Sequence, residues 1–334
     1  MGSQRLMEYR FLGQTGLKVS VLSFGCGAVG GLMVKGAASD HERAVARAME
    51  FGINYFDTAP MYGNGESERN LGRVLKNLKR PKVYVGTKVW LDGSGDIARS
   101  ISDSMEASLR RLGQDSVDLY QLHNLVSDAK RDVTLDPATV REQVLPAFER
   151  LREQGKARFF GFTALGETPA IHSVVEAFDS AQVSYNLLNP SAGAKVPSGY
   201  PAQDYGNLLA RAHASGVGTI GIRALAGGAL SGVETRHPLG MPSVDPIGSA
   251  STYAGDVARA VRFGEVIKQG FSQSLIEASL RFVLSNPDLS TTLVGLSTLE
   301  QLEHAGHSAE KGSLPAEALK LISTIQKGFV GETR

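Results

Sequence analysis

Three successive apolar runs in this chain each close on a group that can move or hold a proton. Ile53-Asn54-Tyr55-Phe56-Asp57 ends on a carboxylate, and Tyr62 follows it in Thr58-Ala59-Pro60-Met61-Tyr62-Gly63. Val83-Tyr84-Val85-Gly86-Thr87-Lys88 ends on an ammonium, and Val117-Asp118-Leu119-Tyr120-Gln121-Leu122-His123 on an imidazole. Together, these four groups suit proton transfer to an oxygen atom, with the phenol as acid. A free phenol has a pKa near ~10 and gives up its proton reluctantly; a cation beside it stabilises the phenolate and eases the transfer. Asp57 is expected to pair Lys88 and hold it charged, and His123 to donate to the substrate oxygen. Singly, each residue has a plainer explanation: a turn aspartate, a loop tyrosine, a solvated lysine, a core histidine. Their joint order, one strand-like run after another, favours a shared pocket.

Such groups meet only if the runs lie parallel and side by side. Candidate strands are Val19–Gly25, Ile53–Thr58, Val83–Lys88, Val117–His123, Arg158–Thr163, Ala181–Asn186, Thr219–Ile222 and Thr292–Leu296. They are mostly apolar on both faces, as buried parallel strands should be. Amphipathic stretches separate them: Asp40–Phe51, Glu66–Leu78, Ile97–Leu112, Val140–Gln154, Pro169–Ala177, Asp204–Ser215 and Ser272–Leu284. Several of these stop at glycine, as at Gly52, Gly113, Gly155 and Gly216, which fits a helix C-cap. The expected fold is α/β: a (β/α)8 TIM barrel, one domain over residues 1–334, with its site and its long loops at the C-terminal face. An open doubly wound sheet is the alternative. Against it, no G-x-G-x-x-G opens a helix after the first strand; Gly25-Cys26-Gly27-Ala28-Val29-Gly30 comes near, with no helix expected there.

Two stretches break the rhythm. Residues 226–270 are rich in Gly, Pro and Ser, and 127–139 are polar with a proline. Both fall after strands, where they would sit at the mouth of a barrel and act as lids. Net charge is +1, with no basic stripe or aromatic platform, so nucleic acid is not the expected partner. The single cysteine, Cys26, excludes an intrachain disulfide and is compatible with a cytoplasmic setting. No apolar run approaches membrane-spanning length. The opening Met1–Arg10 is polar and predicts no signal peptide, and residues 1–6 read as a tag or leader. Seven scattered histidines form no evident metal cluster.

Ordered motifs carry a resemblance to the aldo-keto reductases from Tyr9 to about Ala309. They are Leu12-Gly13-x-Thr15-Gly16-Leu17-x-Val19-Ser20, Asn54–Gly63, Gly86-Thr87-Lys88, Ser108-Leu109-x-x-Leu112-Gly113, Asp118–His123, Gln182-Val183-x-Tyr185-Asn186, Leu225-Ala226-Gly227-Gly228-x-Leu230-x-Gly232 and Gly295-Leu296-Ser297. The resemblance implies a (β/α)8 barrel that binds a nicotinamide cofactor and reduces carbonyls reversibly. It puts the family's catalytic tetrad on Asp57, Tyr62, Lys88 and His123. A cofactor-binding regulatory subunit, similar to the potassium channel beta subunits, is the alternative within the same resemblance. A barrel lyase or isomerase comes third.

The resemblance also implies cofactor positions. Thr163 stands where a serine of a Ser-Asn pair is usual, followed by Ala164, and Gln182 matches the usual glutamine. Ile222 replaces the aromatic ring that often stacks on nicotinamide, and Arg223 and Ala224 stand where Ser-Pro is common. Arg223 is expected to hold pyrophosphate or an anionic substrate group, or to form a barrel-top salt bridge. Gly25, Cys26, Gly27, Leu225, Gly227 and Leu230 complete the expected lining, with Asp57 at its edge. After the eighth strand, Gly295, Ser297, Gln301 and His304 supply no Lys or Arg for a 2′-phosphate. A Ser/Gln pattern similar to that of the channel subunits favours NADP(H), with NAD(H) open. The small Cys26-Gly27 pair implies room for a larger or more polar substrate than a simple aldehyde, such as a sugar. The expected partner is therefore a small carbonyl or alcohol compound, with the oligomeric state left open.

Overall fold

Apolar runs that are buried on both faces satisfy their backbone groups by pairing with one another. The computed structural model describes residues 6–78, 82–93, 95–129 and 133–332; residues 1–5 of the expected leader lie outside them. A short antiparallel hairpin, β1 (Tyr9–Phe11) and β2 (Lys18–Ser20), precedes the main sheet. Strands β3 (Leu22–Gly25), β4 (Tyr55–Asp57), β5 (Tyr84–Val89) and β6 (Val117–Leu122) follow. Next come a two-residue parallel pair, β7 (Leu125–Val126) with β8 (Thr134–Leu135). The last four strands are β9 (Ala157–Thr163), β10 (Ser180–Ser184), β11 (Gly218–Ile222) and β12 (Thr291–Gly295). Strands β3, β4, β5, β6, β9, β10, β11 and β12 close, in that circular order, into a parallel barrel. The expected closed barrel is thus the fold, rather than the open sheet.

Several expected elements have different bounds, each for a local reason. The run Val19–Gly25 divides at Val21, because Asn54 Oδ1 takes the Ser20 N–H and the Ser20 hydroxyl turns back to the Leu22 carbonyl. Its first part belongs to the hairpin that floors the barrel. There Leu12, Leu17 and Val19 pack with Tyr55, Leu119 and Ile220 from the barrel interior. A single helical turn, Leu32–Lys35, follows the first barrel strand where none was expected. The helix expected from Asp204 begins at Leu208, since Gly206 and Asn207 both take left-handed backbone. The one expected from Ser272 begins at Leu275, where the Ser274 side chain caps the Glu277 N–H. Segment 226–270 is not structureless. It holds a tight turn at Ala226–Ser231 and helices Tyr253–Val261 and Gly264–Lys268. Two helices, Leu299–Glu310 and Ala316–Lys327, follow the last strand. No helix among the described residues is long and apolar enough to cross a membrane.

Strand residues alternate faces, so Thr87 and Lys88 point to opposite sides of the barrel wall. Lys88 enters the barrel. Thr87 turns out and donates at 2.6 Å to Glu68, a buried carboxylate on helix Glu66–Asn77. Arg111 of helix Ile97–Leu112 reaches the same carboxylate at 2.5 Å. This buried bridge ties two helices to the strand that carries Lys88. Glu68→Ala leaves a half-buried guanidinium without its partner, and should lower unfolding stability by about 3 kcal/mol. Denaturant unfolding followed by circular dichroism measures this. An unchanged midpoint would show the bridge to be neutral.

Candidate active site

The barrel brings the four sequence-selected groups together. Asp57 ends β4, Lys88 is the penultimate residue of β5, and His123 directly follows β6. Tyr62 comes from the loop after β4. That loop is anchored by Ser67, whose hydroxyl meets Thr58 Oγ1 at 2.7 Å and donates to the Cys26 carbonyl at 2.9 Å. Lys88 is fully buried, with Asp57 beside it at 3% exposure, so this is a charge pair inside the protein. The ammonium pairs with Asp57 Oδ1, donates to the Thr58 carbonyl at 2.9 Å and reaches Tyr62 Oη at 3.3 Å. It also lies 4.9 Å from the centre of the Tyr62 ring. Tyr62 meets His123 edge-to-face at 5.9 Å, and Trp90 meets the same imidazole edge-to-face at 6.0 Å.

The electrostatics set protonation states. Burial pulls the Lys88 ammonium down, but the attraction of Asp57 and Tyr62 outweighs it and holds the group above its ordinary value. For Tyr62, burial pushes the phenol up, and Lys88 pulls it back only in part. Lys88 thus eases the phenol's ionisation as expected, but loss of solvent outweighs it, and Tyr62 keeps its proton at neutral pH. Such a phenol can act as an acid. Burial and then the Lys88 charge bring His123 down to about 3, so its ring is neutral. Its Nδ1 is buried with no hydrogen-bond partner among the described residues. The neutral ring can then carry its proton on Nε2 and donate outward.

A cavity of about 450 Å³ lies beside this cluster, between the ends of β11 and β12. Of the residues expected at a cofactor, Arg223, Leu225, Gly227, Gly295, Ser297, Gln301 and His304 line it. Gly25, Cys26 and Gly27 lie on the neighbouring strand end, outside this lining. Thr163, Gln182, Ile222 and Leu230 are also outside it, and Gln182 is drawn to the tetrad: its Nε2 donates to Asp57 Oδ2 at 2.8 Å. Cavity and cluster are nonetheless adjacent. Gly295 pairs with Gly25, and Gly25 with Asp57, so two strand spacings of about 4.8 Å separate the cavity floor from the carboxylate. A side chain at Gly25 would crowd this strand end, since an added Cβ would meet the Val294 carbonyl at 3.1 Å, whereas one at Gly27 would rest in ordinary contact with the Tyr62 ring at 3.7 Å.

Sequence reasoning missed the clasp over the cavity. Arg236 Nε donates to the Met241 carbonyl at 2.7 Å, and its Nη1 to the Gly227 carbonyl at 2.5 Å and Tyr253 Oη at 3.3 Å. The Met241 N–H reaches the Val29 carbonyl at 3.3 Å, joining this segment to the loop after β3. Residues of this segment between Gly227 and Tyr253 line the cavity, placing it at the barrel mouth as expected, whereas residues 127–129 and 133–139 do not line it. An arginine in a Gly/Pro-rich stretch carries no signal of a clasp, since its carbonyl partners at Gly227 and Met241 come within reach only through the irregular path of the loop.

The cavity suits an anionic, extended ligand. Arg223 has left-handed backbone, φ 61°, and its carbonyl accepts from Asn186 Nδ2 at 3.0 Å and from the Ala226 N–H at 2.8 Å, while its guanidinium has no ion pair or hydrogen bond among the described residues. Burial lowers its guanidinium from the ordinary arginine range, against the pull of Tyr205 and Asp245. An unpaired, largely buried cation is costly until an anion meets it. Among the described residues, no barrel-top salt bridge forms at Arg223. Ser297 and Gln301 have part of their capacity committed already. The Ser297 hydroxyl donates to the Gly30 carbonyl at 2.6 Å, and Gln301 Oε1 accepts the Ser297 N–H at 2.7 Å. The Gln301 amide nitrogen remains to donate. His304 shares a proton with Ser274 Oγ at 2.9 Å.

The chain is 31% identical over 301 residues to L-galactose dehydrogenase of Arabidopsis thaliana, covering 89% of this chain and 86% of that protein. It is 30% identical to a putative voltage-gated potassium channel subunit beta of Schizosaccharomyces pombe, covering 96% and 93%. Its fold superposes on the holo form of aldo-keto reductase AKR11C1 from Bacillus halodurans with a TM-score of 0.70, at 24% identity and 98% coverage of both chains. The model of the aldo/keto reductase family matches residues 21–327, and the chain is an oxidoreductase belonging to that family.

Proposed function

We propose that this protein is a nicotinamide-dependent reductase that interconverts a polar, sugar-like carbonyl compound and its alcohol. The observation that carries the reading is Lys88 Nζ buried between Asp57 Oδ1 and Tyr62 Oη, with the phenol protonated. A bound dihydronicotinamide supplies the hydride. Tyr62 gives its proton to the substrate oxygen, and the Lys88 cation at 3.3 Å stabilises the phenolate that remains. His123, neutral, holds that oxygen by donating to it. In the reverse direction, the same phenolate takes the proton from an alcohol. Arg223, Leu225 and Gly227 are the residues to hold the diphosphate, and Gly295, Ser297, Gln301 and His304 the adenosine end. The gap left by Gly27 beside the Tyr62 ring favours a bulkier substrate, in keeping with the galactose dehydrogenase among its relatives. The proposed setting is the cytoplasm.

The test is cofactor oxidation over a panel of aldehydes and quinones, with the reverse assay over sugars. Rapid cofactor binding with no turnover on any of them would favour a regulatory role instead, the reading raised by the channel-subunit relative.

NADP(H) is the proposed cofactor, with modest preference over NAD(H). The adenosine end offers Gln301 Nε2 and His304 but no guanidinium, and neutral hydrogen bonds are roughly half as strong as charge-assisted ones. Gln301→Ala should weaken NADPH binding and leave NADH nearly unchanged. Gln301→Arg should strengthen NADPH selectively. Ser297→Ala should act mainly by loosening the loop at Gly30, because its hydroxyl is already spent there. Fluorescence titration of both cofactors decides this, and tighter NADH binding by the parent protein overturns the preference.

A further inference from the structure

Asp57 has more partners than its pairing with Lys88 requires. Its Oδ1 faces the ammonium, while Oδ2 accepts three neutral donors: Tyr55 Oη at 3.0 Å, Gln121 Nε2 at 2.9 Å and Gln182 Nε2 at 2.8 Å. All four donors are buried and come from different strands, Tyr55 from β4, Lys88 from β5, Gln121 from β6 and Gln182 from β10. Two glycines make the room. A Cβ at Gly86 would lie 2.3 Å from Tyr55 Oη, and one at Gly161 would lie 3.2 Å from Gln121 Cγ and 2.3 Å from Ser180 Oγ. Gly86 and Gly161 both lie inside barrel strands, where glycine costs stability. Neither glycine has the positive φ that would otherwise explain it.

We propose that Tyr55 and Gln121 are positioning residues that hold the Asp57–Lys88 pair in its charged form and so set the strength of the Tyr62 acid. The proposal rests on Tyr62 being the proton donor. The physical reason lies in the choice open to a buried acid–base pair. Away from water it can remain an ion pair, or the proton can cross and leave both groups neutral. Each hydrogen bond to Asp57 Oδ2 stabilises the carboxylate and so favours the ion pair. The same bonds fix the carboxylate's rotation, keeping Oδ1 on Lys88. Losing them discharges Lys88, and the phenol then loses the cation beside it. Tyr55 is well suited to this task, because burial followed by the Asp57 charge raises its own pKa far above the ordinary phenol value, and it stays a donor. The other titratable groups facing the cluster are Tyr62, His123 and Cys26, with Asp118 acting on Tyr55 from β6. His123 is neutral, and burial followed by Asp57 keeps the Cys26 thiol protonated, so neither can replace the lost charge.

Tyr55→Phe removes one oxygen and leaves the ring in its slot. Gln121→Met keeps length and volume and loses the donor. Each should lower kcat for carbonyl reduction by roughly tenfold, the cost of one hydrogen bond to a charged group, with KM for the cofactor unchanged. The alkaline limb of the kcat profile should move to higher pH, since a phenol without its cation holds its proton longer. Gly86→Ala should act in the same direction by displacing Tyr55. Tyr62→Phe is measured alongside. If Tyr62→Phe is inactive while Tyr55→Phe and Gln121→Met keep both the parent rate and the parent pH limb, the positioning role is overturned. The same holds if they lose only thermal stability. If Tyr62→Phe retains the parent rate, the acid assignment beneath it has failed instead.

Discussion

Tyr62→Phe should cut carbonyl reduction by at least ~10²-fold and leave cofactor affinity almost unchanged, since a positioned general acid contributes ~10²–10⁴. The variant loses only the hydroxyl that lies 3.3 Å from Lys88 Nζ. Tyr62 is one wall of an aromatic group with His123 and Trp90, and the phenylalanine ring retains those edge-to-face contacts. Folding should therefore be preserved, and the loss should fall on kcat. Steady-state kinetics with a reactive aldehyde, paired with fluorescence titration of the cofactor, separates the two quantities. A variant that turns over within a few-fold of the parent would place the proton donor elsewhere, with a water held by His123 the next candidate.

The second large effect is expected from Lys88→Met. Methionine matches the aliphatic stem but carries no charge, and it leaves Asp57 buried without its cation. Two outcomes follow. Stability should fall by about 3–5 kcal/mol, the usual cost of breaking a buried pair from one side. Reduction should fall by roughly 10²-fold, and its alkaline limb should rise. The sign follows from the structure: Lys88 is the group that pulls the Tyr62 proton affinity down, against burial, which pushes it up. With the cation gone, only the upward push remains. A pH–rate profile measured on folded variant protein tests this. An unshifted limb with a normal rate would reduce Lys88 to a structural ion-pair partner.

These two variants probe different parts of one arrangement, and the sequence made those parts unequally visible. The strand ends Asp57, Lys88 and His123, with Tyr62 just beyond the first, were legible because parallel barrel strands all point their C-termini at one mouth. A polar residue that closes an apolar run is thereby assigned to that mouth before any distance is known. The strand–helix alternation was equally legible, since burial on both faces writes itself as continuous apolar runs. Local exceptions were less so. Ser20 splits one expected strand through a side-chain bond to Asn54, 34 positions away, and Gly206 with Asn207 delays one expected helix.

Chemistry that depends on what surrounds a group was settled only by the folded chain. From sequence, Lys88 should depress the Tyr62 phenol; in the barrel, desolvation exceeds that attraction, because burial acts from all sides and the cation from one. Gln182, expected among the cofactor residues, bonds Asp57 from across the barrel. The Arg236 clasp and the empty-handed Arg223 both depend on backbone that long loops bring together, where periodicity carries no information. Sequence by itself determined the family and the barrel and singled out the four side chains that the barrel brings together, all of which follow from pattern and order along the chain. Tertiary structure alone decided which charges are dry, which donors are already spent and how Tyr55 and Gln121 converge on Asp57. Those properties depend on distances between residues that the chain keeps far apart until the barrel closes.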